Sequence, residues 1–460
     1  MRLEMVFKRF VPFLMLWPLA AVAQQVTPMT LREAVRYALE HSPALQSGAA
    51  EIQAREGAST TAHSQLLPHV NLFGDINQSR FARAYPPATP PTELRFDETQ
   101  FRGGAQVGFL LWDFRATKLQ LEAARERVQA AGLNLKRREQ EVIFQVARLY
   151  LRCLTFEDLT KAAQARQKSL VALAERTHAL VEGGRAVPAD ESKVRTRLAR
   201  IESELAALES GRKSTLSALA AAMGLDGELP RVVYSPPQPA APSAGEPDQI
   251  RQALTARPDL QAVEHEISAA ANKEHSVRQS RLPRVSLNAA AIQYASGDPE
   301  SFANLIGKML PGLPIPAHTL DNAVADWAVG ASVTFPLFDG GQRKGQIQEA
   351  AARERQAQLA QQRLRLNIAR EVRTAKAELE AAQSRVKSFK EAVQSATEVL
   401  HNEQAKYEAG KTVINFVLEA EADLLTNESL LYQAQRSVAI AALSLDLSLG
   451  RIRPDIVPGK

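Results

Sequence analysis

Between Asp113 and Pro188 the chain contains no proline, and through that stretch an apolar residue returns at every seventh position: Leu121, Val128, Leu135, Val142, Leu149, Phe156, Ala163 and Leu170. A strict seven-residue repeat is the pattern of coiled-coil packing. A helix of roughly 70 residues is about 105 Å long at 1.5 Å per residue. Such a helix cannot fold back into a compact globule. It must project as a rod, and the rod must pair with other rods of the same chain or of neighbouring chains. Asp113 stands where an N-cap belongs. A second run starts at Asp339 and carries both seam rows, Ile368, Ala375, Ala382, Phe389 and Ala396 beside Val372, Leu379, Val386, Val393 and Leu400. Gly183, Gly184 and Gly410 mark the turns, and return helices run to Gly224 and Gly450, the second with Val417, Leu424, Leu431, Val438 and Leu445 at heptad spacing. The expected core of the chain is therefore a pair of long α-hairpins. Phe156 repeats as Ala382 and Ala163 as Phe389, an exchange of large and small that suggests side-by-side hairpins with compensating volumes.

The two hairpins are copies. Leu67-Pro68-His69-Val70-Asn71-Leu72 returns as Leu282-Pro283-Arg284-Val285-Ser286-Leu287, 215 residues on, and Pro43 and Pro258 share that offset. Farther along the offset is 226, matching Val107 to Val333, Asp113 to Asp339, Gly184 to Gly410 and Gly224 to Gly450. Each copy opens with a helix ending before the Leu-Pro pair, the first capped by a Thr30/Glu33 box. Each then carries a strand, a Pro-rich loop and a returning strand. Val70, Leu72 and Ile76 alternate with Asn71, Asp75 and Asn77; Ala105, Val107, Phe109 and Leu111 share a face, as do Trp327, Val329, Ala331, Val333, Phe335 and Leu337. The expected organisation is a signal peptide at 1–23, a first repeat at 24–227, an extended Pro-rich linker at 228–247, a second repeat at 248–450 and a tail at 451–460.

Strands of about 10 residues with period 2 fit a membrane barrel. They equally fit a soluble sandwich, and the rods favour the barrel. Open sheet edges cannot face lipid, and the smallest closed membrane barrels have about 8 strands. Four strands per chain then require at least two chains to share one barrel, which the rods would continue as a tube; a dimer, trimer or tetramer would satisfy this.

The compartment agrees. Arg2, Lys8 and Arg9, then the apolar run Phe10 to Ala20, then Ala21-Val22-Ala23 are the three parts of a secretory signal in order, with Gln24 the new N-terminus. No later stretch reaches the roughly 18 apolar residues of a membrane helix. The lone Cys153 sits among Leu149, Leu151 and Leu154 and reads as a buried structural thiol, and one cysteine excludes a disulfide framework. A net charge of +5 is too mild to argue for nucleic acid. The eight histidines are scattered, and "HEISA" from His265 lacks the second histidine of a zinc-protease helix. There is no phosphate-loop lysine and no nucleophile elbow. No enzyme, metal or cofactor site is expected. The rival reading is a secreted periplasmic coiled-coil scaffold without channel activity; a lone porin would have no use for the rods.

"FPLFDGGQRKGQ" from Phe335, its weaker first copy "FLLWDFRATK" from Phe109, "LPRVSL", and "YEAGKTVINFVLEAEADLL" from Tyr407 resemble the outer-membrane efflux protein family, the TolC-like channels. The resemblance covers nearly all of the mature chain. It implies a mainly α protein with a membrane β-barrel portion: a homotrimer with a shared 12-stranded barrel in outer-membrane lipid and an α-helical tunnel in the periplasm. The tunnel would dock a periplasmic adaptor (membrane fusion) protein and an inner-membrane pump or ABC exporter, and pass small molecules or proteins outward. The hairpin tips, Gly184, Arg185, Ala186, Val187 and Pro188 with Gly410, Lys411, Thr412 and Val413, would meet the adaptor. The periplasmic gate would use Glu419, which keeps a family carboxylate, Phe416, which replaces one, Tyr407 of an interhelix lock, and Asp190 at the matching place of the first hairpin. Thr412 stands where a lock arginine can occur.

Overall fold

The computed structural model describes residues 28–85, 92–226, 231–232, 245–296 and 323–454. The signal segment with Ala23 and Gln24, the loops 86–91 and 297–322, and most of the linker lie outside the described residues. The first repeat runs β1 (Pro28–Met29), α1 (Leu31–His41), α2 (Pro43–Ser64), β2 (His69–Tyr85), β3 (Thr92–Trp112), α3 (Ala116–Glu182) and α4 (Pro188–Met223). The second runs β4 (Arg231–Val232), α5 (Glu246–Ala256), α6 (Pro258–Gln279), β5 (Arg284–Ser296), β6 (Ala323–Thr334), α7 (Gln342–Glu408) and α8 (Ile414–Ser448). The two long helices are 67 residues each. Among the described residues no helix is long and apolar enough to cross a membrane.

The heptad seam holds. None of its eight positions on α3 is exposed; Leu121, Val142, Ala163 and Leu170 are buried. Ile368, Val372, Ala375, Leu379 and Ala382 are buried on α7. Four glycines end the four long helices in the same way. At Gly184, Gly224, Gly410 and Gly450 φ lies between +67° and +76°. In each case the next residue's N–H reaches back five positions, as Arg185 does to Leu180 at 2.8 Å and Lys411 to Lys406 at 2.8 Å. This is the glycine cap that satisfies the last free carbonyls of a helix.

Several expectations are corrected. The opening helix of each repeat is two helices, broken at Ser42 and at Arg257 (ψ 124° and 123°), because a residue before proline is pushed out of the helical region. The strands are 12–21 residues long, so the β2–β3 ribbon extends well past the pairing with β5. Asp113 does not occupy the cap position itself. Helix α3 begins at Ala116 after two left-handed residues, Phe114 and Arg115, and Asp113 Oδ2 accepts from the N–H (2.8 Å) and hydroxyl (2.5 Å) of Thr117, four residues on. The linker is not wholly extended and exposed: Val232 is buried and β4 pairs in parallel with β1. The hairpins do pack side by side through one apolar cluster that includes Ala163, Leu170, Tyr407, Val417 and Leu424. The volume of Phe156, however, is met inside its own hairpin, where a Cβ on Gly211 would lie 2.5 Å from the ring.

Candidate conduit and its far end

The four strands form one antiparallel sheet in the order β2-β3-β5-β6. Its register sorts the side chains onto two unlike faces. Across one face Leu72, Ala105, Ala291 and Trp327 form one row, and Val70, Val107, Ala289 and Val329 the next. Trp327 is 80% exposed in the single chain, and Val70, Leu72, Ile76, Val329 and Val333 are also exposed. From Trp327 to Phe335 this apolar face spans about 26 Å along the strand at 3.3 Å per residue, close to the roughly 25 Å apolar band of a membrane barrel. Aromatic residues rim it, with Trp112, Phe114, Phe335 and Phe338 exposed toward the helices.

The other face carries His69, Asn71, Asp75, Arg102, Gln106, Asn288 and Ser332. Arg102 pairs with Asp75 at 3.0 Å, and Asn288 donates to the Ser332 hydroxyl at 2.8 Å. A hollow of about 500 Å³ is lined by His69, Asn71, Gln106, Asn288 and Ser332 together with small and apolar residues of the same strands. An apolar face backed by a face that carries polar and charged side chains is the alternation of a water-lined barrel. β2 and β6 are its open edges, so one chain does not close it.

At the far end of the rods, Gly184, Arg185, Val187, Pro188, Gly410, Lys411 and Val413 are exposed, and Ala186 and Thr412 are half-buried. The structure places the gate candidates in two places. Tyr407 and Asp190 are buried, in the contact between the hairpins. Burial raises the Tyr407 phenol's pKa, Asp190 adds to the rise, and the Thr177 hydroxyl acts against it. Neither hydroxyl makes a well-formed hydrogen bond. Asp190 pairs with Lys193 at 3.3 Å. Phe416 and Glu419, three residues apart on α8, are exposed on the side away from the buried Val417, Leu418 and Ala420.

A further set joins the two hairpins that sequence reasoning missed. Glu421, 1% exposed, accepts from Ser169 at 3.1 Å and pairs with Arg166 at 3.3 Å, leaving Arg166 Nη2 and Glu421 Oε2 unpartnered. Burial pushes the Arg166 guanidinium down to about 10, with Glu428 opposing the fall. Arg197 donates to the Leu418 carbonyl at 3.2 Å, and Arg176 pairs with Glu408. Higher on the rods Arg436 and Asp158, both buried, pair at 2.6 Å. The signal was present: Glu421 is four residues after Val417 and three before Leu424, a polar residue on a seam position. Among the described residues no group of three or more His, Cys, Asp or Glu is placed to hold a metal.

The outer membrane efflux protein family matches residues 34–225 and 249–451. Outer membrane efflux protein BepC of Brucella suis is 25% identical over 431 residues, covering 93% of this chain and 86% of its own. Protein CyaE of Bordetella pertussis is 26% identical over 461 residues, covering 96% and 89%. The solved outer membrane protein VceC of Vibrio cholerae superposes with a TM-score of 0.74 at 21% identity over 91% of this chain and 96% of that one, which shows the same fold. The sheet with its two unlike faces, the doubled rods and these matches together show that the chain belongs to the outer membrane efflux protein family, an exit duct whose barrel three copies share in the outer membrane and whose helical tunnel stands in the periplasm.

Proposed function

We propose that this duct has no chemistry of its own and works as the last component of a tripartite exporter, receiving cargo from a periplasmic adaptor and an inner-membrane pump or ABC exporter. The carrying observation is the placement of two exposed glycine-capped turns at the end of rigid 67-residue helices, far from the lipid-facing sheet. Those turns, Gly184 to Pro188 and Gly410 to Val413, are the docking tips. Leader cleavage after Ala23 starts the mature chain at Gln24, which N-terminal sequencing of the outer-membrane protein reads directly. The test of docking is Gly184→Val and Gly410→Val. Both glycines hold positive φ with open space around the Cβ position, so a β-branched side chain strains the turn locally. Export should be lost with the trimer intact; export surviving both changes would remove the tips from the docking surface.

The gate reading assigns Glu419 and Phe416 to the lumen and Tyr407 and Asp190 to the contact that holds the two hairpins together. Their burial pattern supports this, since the first two face away from the hairpin contact and the second two lie within it. Three Glu419 carboxylates around the axis would favour cations and bind multivalent ones. In planar bilayers Glu419→Ala should lower cation selectivity and weaken block by trivalent cations, and Phe416→Ala should raise conductance without reversing selectivity. Unchanged selectivity and block in Glu419→Ala would remove Glu419 from the constriction.

A further inference from the structure

Helix α6 packs on both α3 and α7, in step with the strand order β3-β5-β6 above them. A hollow of about 450 Å³ is lined by all three helices, through Gln120 and Arg127 of α3, Lys273 of α6, and Gln346, Glu349 and Arg353 of α7. The two flanking helices present the same pair, since Gln120 and Arg127 return as Gln346 and Arg353 at the offset of 226. A space that touches three consecutive staves of a curved wall lies on the side toward which the wall bends, because on the other side the flanking staves fall away from the middle one. In a duct that side is the lumen. Arg125, two residues from Arg127 and so about 200° around α3, is exposed on the opposite side of the wall.

The charges around this hollow do not balance. Glu349 is taken by Arg353 at 2.7 Å. Other carboxylates of the same helix ends are taken too, Glu122 by Arg115 at 3.4 Å, Glu126 by His265 at 2.7 Å, and Glu274 by Arg278. Arg127 and Lys273 are exposed, and their side chains have no ion pair or hydrogen bond among the described residues. Their helices are flanked on both sides by helices of the same chain, α3 by α2 and α6, and α6 by α3 and α7. One step nearer the barrel, Arg284 shares the face of β5 that carries Asn288 and stands opposite Thr334. It lines a second hollow of about 470 Å³ with Gln65 and His69, and its side chain is likewise unpaired among the described residues.

We propose that the lumen wall where the tunnel meets the barrel is a binding site for multivalent oxyanions, molecules that carry two or more phosphate or carboxylate groups. Arg127, Lys273 and Arg284 supply the charge, and the side-chain amides of Gln120 and Gln346 are further donors. This rests on the duct reading of the chain. A guanidinium meets a phosphate or carboxylate with two parallel N–H donors, and an ammonium meets it as a point charge. Single-charge anions engage one such group at a time and are screened by salt, whereas a multivalent anion engages several at once. Along the path the inner surface then reverses sign, from the carboxylate of Glu419 at the far end to a cationic collar at the waist. Cargo that bears both kinds of charge meets its complement at each.

Planar-bilayer recording on the full-length trimer tests this, with tripolyphosphate as the probe. Added from the extracellular side, it should block the current, and acetate at the same concentration should not. Arg127→Gln with Lys273→Gln should raise the half-blocking concentration about tenfold, and adding Arg284→Gln should raise it further. Arg125→Gln should leave it unchanged. All four side chains are exposed in the single chain, so these changes leave the packing intact. Placement is read separately. In Lys273→Cys a water-soluble, negatively charged methanethiosulfonate should change the conductance in discrete steps, and in Arg125→Cys it should not. Tripolyphosphate block that is equal in the wild type and the double variant would overturn the anion site and leave the duct standing. A silent Lys273→Cys would put the hollow on the outer wall and overturn the site as well. A trimer that conducts under no condition would instead overturn the duct reading on which the site depends.

Discussion

The two repeats have one backbone and two solutions for it. At the turn from strand to long helix the first repeat places Phe114 and Arg115 at φ 55° and 69°, and the second places Gly340 and Gly341 at 63° and 93°. An aspartate holds both turns, Asp113 through Thr117 and Asp339 through the Gly341 and Arg343 N–H groups at 3.1 and 3.2 Å. Inside the hairpins Phe156 lies against Gly211, and the matching positions are Ala382 and Ser437. The largest difference concerns the faces between repeats. Asp158 and Arg436 form a buried ion pair, whereas the matching Ser384 and Ser210 are exposed in the single chain. The buried ion pair stands where both repeats of one chain meet, and its matching positions stand on surfaces that the single chain leaves open.

That comparison can be broken most strongly at the ion pair. Asp158→Ala should cost about 3–5 kcal/mol, because it removes the carboxylate from a buried guanidinium. Ser384→Ala should stay within about 0.5 kcal/mol. Thermal unfolding at one protein concentration compares them, and equal losses would deny the asymmetry. The helix caps come next. A Cβ at Gly224 would meet the His41 carbonyl oxygen at 2.5 Å, and one at Gly450 would meet Arg257 Cγ at 2.9 Å, whereas Gly410 has open space. Left-handed strain and overpacking together put Gly224→Ala at about 3 kcal/mol, Gly450→Ala near 2 and Gly410→Ala near 1. A reversed order would show that the φ requirement alone sets the cost.

The strand-to-helix turns should respond less. Gly341→Ala should cost about 1 kcal/mol. Arg115→Gly should change stability by no more than about 0.5 kcal/mol, since relief of the positive φ is offset by the freer unfolded chain. The smallest response belongs to Cys153, whose counterpart is the buried Leu379. Burial pushes its thiol up to about 12. At pH 8 an alkylating reagent should leave it untouched in the folded trimer and modify it fully in denaturant; native-state labelling would place it in a different environment from Leu379.

The periodic features were legible because they are local. The heptad rows gave the buried faces of α3 and α7, the four turn glycines gave the hairpin ends, and period-2 alternation gave the two faces of the sheet. The breaks at Ser42 and Arg257 were also written in the chain, as Pro43 and Pro258 at one offset, but a proline at a helix start reads as easily as a helix continuing from it. The partners of the buried charges were not legible. Asp158 and Arg436 lie 278 residues apart, and Arg166 and Glu421 join different hairpins. Heptad spacing says that such a residue faces inward without saying what it meets. Phe416 and Glu419 were chosen through the family resemblance, and the structure adds only that they face away from the hairpin contact.

The central claim is that this chain, in threes, makes a water-filled path through the outer membrane and onward through its own helices. Planar-bilayer recording on detergent-extracted trimer tests it most directly. Discrete, long-lived conductance steps with a preference for cations are expected. A protein that leaves the cell with the periplasmic contents, stays soluble without detergent and adds no conductance to the bilayer would be a coiled-coil scaffold and would contradict the account.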